Sequence, residues 1–189
     1  NDARRQRQMC IRDSLFLQIH REIAFRDLKS MTSKHNEEAV LCRLVRLFRQ
    51  SPLLYLSDSN IWSYRGDEQL KLALVDVASD HRNFIDRAET ILVAEQAELP
   101  RTFYPLAFTG WHDVDLGFLL PKLITDLEKR KNALIDLRDR ADEVVGRRVS
   151  GDDKAAELVR EVIASVDGHL DTLGQEDSRL KKKAATVGS

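Results

Sequence analysis

Cysteine is nearly absent, and two in 189 residues exclude a disulfide framework. Eight Gly and four Pro are too few for a chain built from tight turns, which argues against a β-sandwich. Neither sign of charge prevails, because 30 Lys and Arg stand against 31 Asp and Glu for a formal charge of -1. No global field therefore recruits nucleic acid or an anionic membrane. Long apolar runs are missing as well. The longest stretch without a charged residue, Thr102 to His112, falls far short of the roughly 20 apolar residues that span a membrane. With aromatics at only 6%, the chain is 42% hydrophobic and 32% charged, and its charges are interleaved with Leu, Ala and Val. That is the composition expected of one soluble, cytoplasmic, helical domain with a real core.

The opening segment, Asn1 to Ser14 (NDARRQRQMCIRDS), has no hydrophobic period. Its run QRQMCIRDS resembles a string found at the ends of conceptual translations from metagenomic assemblies, where sequencing-adapter DNA is read as coding sequence. The resemblance covers these 14 residues and implies that Arg4, Arg5, Arg7 and Arg12 have no role. The alternative is a basic disordered arm able to touch phosphate. Met31-Thr-Ser-Lys-His-Asn-Glu reads as a natural start, so residues 1–30 are expected to be a non-native or unstructured leader. They hold seven Lys/Arg and four Asp/Glu, and without them the charge moves from -1 to -4.

Four amphipathic helices are legible in the rest. Val40, Leu41, Leu44, Val45, Leu47 and Phe48 recur at three- and four-residue spacings and predict a helix from His35 or Asn36 to about Gln50, where Ser51-Pro52 stops it. Leu53 to Tyr64 reads as an irregular or short helical connection that caps one end of the core. Asp67 to about Ala97 carries the clearest pattern: Leu70, Leu74, Val77, His81, Phe84, Ala88, Ile91 and Glu95 form a heptad seam. A second stripe of Leu72, Val75, Ile85 and Leu92 widens its buried face. The aromatic loop Arg101 to Gly110 is expected to fold across the bundle end.

The third helix is predicted from Trp111 to Val145, with Leu116, Leu120, Leu123, Leu127, Leu134, Leu137, Ala141 and Val144 on one face and Gly146 as its C-cap. Pro121 then sits about ten residues in, and its ring presses on the Gly117 carbonyl, predicting a kink or break. The fourth helix is predicted from Asp153 to Leu173, and residues 176–189, with Lys181 to Lys183, read as a flexible polar tail. Short connections between long helices predict an all-α, antiparallel, up-and-down four-helix bundle spanning residues 31–175, with a kinked third helix.

The chemistry-bearing residues are few. The Glu-x-x-His pattern of di-iron bundles is missing, since Ala78, Thr109 and Val166 precede His81, His112 and His169 by three. Cys42 has no second thiolate beyond the leader and reads as a small buried residue. His81 occupies a seam position, and counting along antiparallel helices brings His169 near it, with Asp126 or Glu128 at the same level. This pair is the weak candidate for a transition metal, although a core His is ordinarily satisfied structurally. The kink would also gather Trp111, His112, Asp113 and Asp115 against Tyr104 into a candidate pocket at the bundle mouth. Carboxylates at a helix start explain themselves electrostatically, however, and no nucleophile is visible there. The sequence thus favours a non-enzymatic interaction or structural module without a cofactor, its partner another protein or a second copy, with neither membrane nor nucleic acid involved. The alternative is a metal-binding bundle or metal-dependent enzyme built on His81, His169 or His112.

Overall fold

The computed structural model describes residues 36–111, 114–145 and 154–187. The expected leader, residues 1–30, and the expected C-cap Gly146 therefore lie outside the described residues. Among the described residues every regular element is helical, and no helix is long and apolar enough to cross a membrane. Helix α1 covers residues 36–49 and buries Val40, Leu41, Leu44, Val45 and Phe48, one face of a 3.6-residue period. Ser51 then accepts the Leu54 N–H at 3.1 Å and, with Pro52 in the first turn, starts the short helix α2 (Pro52–Asp58). A 3-10 turn, Ile61–Ser63, follows it.

Helix α3 (Glu68–Ala94) is capped by Asp67, which accepts the Gln69 N–H at 3.1 Å. Its seam is buried from Leu70 through Ala88. The second stripe needs one correction: Leu72 is 54% exposed, and Ala78 takes its place in the core. Leu72 lies two residues, and so about 200°, from Leu70 and faces outward. The helix ends three residues before the predicted Ala97. There Gln96 adopts φ 60°, and its N–H and that of Ala97 turn back to the carbonyls of Val93 and Leu92. This closing motif normally uses glycine at the left-handed position.

Helix α4 runs from Leu116 to Val145, five residues later than the predicted start. Asp115 fixes that start by accepting the Gly117 N–H on its side chain at 2.8 Å and those of Phe118 and Leu119 on its carbonyl. A Cβ on Gly117 would sit 3.0 Å from that carboxylate oxygen, so glycine makes room for the cap. Trp111 belongs instead to a separate 3-10 turn, Leu106–Trp111. Pro121 is consequently six residues into α4, and the helix assignment continues through it.

Helix α5 (Lys154–Val187) extends well past the predicted Leu173, so residues 176–187 are helical rather than a separate tail. Glu176, Arg179, Leu180 and Lys183 continue the face set by Leu173, and Arg179 and Lys183 reach Asp67 at 2.6 and 3.0 Å. A hydrophobicity pattern cannot register this contact, because polar groups make it.

The up-and-down order does not hold. Leu116 N–H donates to the Arg65 carbonyl at 2.8 Å, and Gly66, at φ 152°, lies so close that an added Cβ would come within 2.9 Å of Leu116 Cβ. The starts of α3 and α4 therefore meet, and the two helices run parallel. α5 is antiparallel to both, through Arg179–Asp67 and Arg87–Glu161 on α3 and Lys131–Asp167 and Arg160–Asp142 on α4. α1 is also antiparallel to both: Arg49 pairs with Glu89, while Arg130 of α4 donates to the carbonyls of Leu47 and Gln50. Residues 95–115 make the crossover. Fully extended they would span about 69 Å, whereas α3 is about 40 Å long.

This crossover retraces α3 as a strap along its side instead of capping the bundle end. The Glu98 carbonyl lies by Cys42, Tyr104 donates to Asp58 at 2.5 Å, and the strap finishes at Arg65. Tyr104 and Phe108 both pack on Tyr55 of α2, with ring centroids 5.3 and 5.4 Å away.

Two outcomes follow for urea unfolding. Gln96→Gly should raise stability by about 0.5 to 1 kcal/mol, by relieving a left-handed side chain. Asp67→Ala should lower it by about 1 to 3 kcal/mol, losing a cap and the shared acceptor of two cations, with Asp67→Asn intermediate.

Candidate functional site

The seam carries His81 into the centre of the bundle, where it is fully buried. Phe48 of α1 packs on it at a tilt, 4.6 Å between ring centroids, and His169 of α5 meets it edge-on at 5.4 Å. The expected meeting of His81 and His169 is therefore present. The carboxylate beside them is neither Asp126 nor Glu128. Asp126 binds Arg130 at 2.5 Å, and Glu128 is exposed. Asp80, on α3 itself, takes the role: its Oδ2 lies 2.9 Å from His169 Nε2. The sequence sets Asp80, with Asp76 and Asp86, near His81, but not against His169; one step off the seam, the exposed Asp80 reaches the adjoining helix at its edge.

Ser165 Oγ lies 3.3 Å from the same His169 Nε2, so a serine, a histidine and an aspartate stand together. Their arrangement does not make an acyl-transfer triad. Such a triad sets nucleophile and carboxylate on opposite ring nitrogens so that one proton can move between them. Here both oxygens face Nε2, and the buried Nδ1 of His169 has no partner. Both ring nitrogens of His81 are likewise unpartnered.

Burial first, then the neighbouring His169 and Arg130, pushes His81 down to about 3, so the ring is neutral at physiological pH. Among the described residues no group of three or more His, Cys, Asp or Glu is placed to hold a metal ion. Cys42 is half-buried, and burial first, then Glu38, pushes its thiol up, away from the thiolate form.

The second candidate set is described only in part. His112 and Asp113 lie outside the described residues. Trp111 packs on Phe108 at 4.9 Å, and Asp115 is used as the cap of α4. Tyr104 joins Trp111 through Tyr55 and Phe108, and its phenol is raised well above the usual range by burial and by its bond to Asp58. It borders a groove of about 450 Å3 between the strap and α3, walled by Leu54, Ile85, Arg49, Arg82, Asp58 and Asp86.

Unfolding exposes His81 and returns it to about 6.5, so between pH 6.5 and 3 the unfolded chain binds a proton that the folded chain does not. Stability is complete above that window and falls as pH drops through it, by about 1.4 kcal/mol per pH unit. His81→Leu should keep or raise stability at pH 7 and flatten this slope in thermal melts from pH 7 to pH 4. An unchanged slope would show that other groups set the acid sensitivity. Compared with family models, curated proteins and solved structures, the chain matches none, so its function is read from this geometry.

Proposed function

We propose that this chain is a non-enzymatic interaction module: a four-helix bundle of α1, α3, α4 and α5 with one long crossover, which pairs with a second copy of itself through the strap. The observation that carries the reading is the outward display of Phe103 and Leu106, 82% and 86% exposed. Two large apolar side chains held in water close together on an anchored segment offer a contact surface. The strap is anchored here, since Tyr104 and Phe108 face inward onto Tyr55 and the Tyr104 hydroxyl holds Asp58. Phe103 stands at the rim of the groove against α3, and Leu106 is exposed three residues further along the strap.

A two-fold interface needs a projection and its receptor on one face, because each copy supplies both. Phe103 and Leu106 are the projection, and the groove walled by Leu54 and Ile85 beside them is the receptor. Arg49 and Arg82 alternate there with Asp58 and Asp86, so two such faces approach without net repulsion. The reading also keeps a bend in α4 near Pro121, which has no N–H to give the Gly117 carbonyl.

Sedimentation velocity tests the pairing. The wild-type chain should shift from monomer to dimer below about 100 µM, in the micromolar range of a modest interface. The double variant Phe103→Ser, Leu106→Ser should stay monomeric with its thermal midpoint unchanged. A wild-type chain that remains monomeric throughout would overturn the reading.

A further inference from the structure

The surface of this protein is laced with ion pairs. Arg49, Arg82, Arg87, Arg130, Arg138, Arg160 and Arg179 each hold a carboxylate. Arg43, Arg46 and Arg140 hold none among the described residues, and all three line one cleft of about 840 Å3 between α1 and α4. Arg43 and Arg46 are three residues apart on α1 and so share a face, while Arg140 approaches from the antiparallel α4. Ala39 and Ala133 keep the cleft open, and Val40 and Leu137 form its apolar floor. Asp136 is the one carboxylate among the lining residues, and no cation pairs with it among the described residues.

We propose that the cleft between α1 and α4 is a binding site for a small phosphate-bearing ligand. Three guanidinium groups against one carboxylate leave a local charge of +2. A phosphate monoester or diphosphate supplies about that much negative charge at neutral pH, and a single carboxylate supplies half of it. The guanidinium fork also matches phosphate oxygens two at a time, with more geometric selectivity than an ammonium group offers. The volume lies within the range of small-molecule sites, and the walls come from two helices whose spacing the core fixes. Convergence of three like charges costs free energy in the empty cleft, and an anion removes that cost on binding.

The site is independent of the strap contact. Isothermal titration of the full chain with inorganic pyrophosphate, at about 0.15 M salt to suppress diffuse attraction, tests it. Saturable binding at one site per chain is expected. Arg46→Gln and Arg140→Gln should each weaken it about tenfold or more, as loss of a charge-assisted contact does. Arg87→Gln, which removes a surface arginine paired with Glu161, should leave it unchanged. All three arginines are exposed, so circular dichroism melts should match wild type. Ala39→Trp provides a second arm, filling the cleft from an exposed position with the arginines intact, and should also abolish binding. The absence of saturable binding, or an equal loss in Arg87→Gln, would overturn the proposal.

Discussion

One carboxylate, Asp67, caps α3 while accepting Arg179 and Lys183 from the far end of α5, and the chain beside it, at Arg65 and Gly66, receives the first residue of α4. Three helix ends are thereby set at a common level. The register of everything deeper follows from this end: fifteen residues along α3 and α4 from Gly66 and Leu116 stand His81 and Lys131, and Arg130 is charge-coupled to His81. Counting down α5 from Lys183 brings His169 to the level of His81, beside Asp80. The cations also hold Asp67 well below the usual carboxylate range, so the clamp keeps its charge into acid.

The heptad seam of α3 was readable from Leu70 to Ala88, because a buried helix face leaves its own period; Ile91 is only half-buried, and Glu95, past the helix end, is exposed. The relative directions of the helices were not. Running α3 to Ala97 and starting α4 at Trp111 leaves a 13-residue connection, which at full stretch covers about 43 Å and barely retraces a helix of about 40 Å. The true ends at Ala94 and Leu116 rest on a left-handed Gln96 and on the Asp115 cap, two local hydrogen-bond motifs with weak sequence signatures. The last turns of α5 escaped for a different reason. Their stabilising partner, Asp67, is more than a hundred residues away, and apolar periodicity carries no trace of an ion pair.

The pairing of His81 with His169 was found by counting antiparallel helices, although α3 and α4 are in fact parallel. The estimate survived because His81 lies near the middle of α3, where either direction gives nearly the same partner level. What counting could not supply was the orientation of the imidazoles. Two buried rings with three nitrogens lacking partners are costly, by about 1 to 3 kcal/mol for each unsatisfied group. That cost falls in the one layer where α1, α3 and α5 all contribute ring or imidazole side chains. A polar pair there disfavours sliding any helix by a turn, since a slipped register would leave the Asp80 bond unmade as well.

The strap has a kinetic consequence. In a bundle of simple hairpins each helix finds its partner across a short loop, and contacts between neighbours in sequence assemble the core quickly. Here α3 and α4 can align only after the strap has doubled back, and the clamp at Asp67 joins groups 112 and 116 residues apart. Closing such loops costs chain entropy before any contact repays it. Such long-range closure is expected to make folding slower than helix content alone would set.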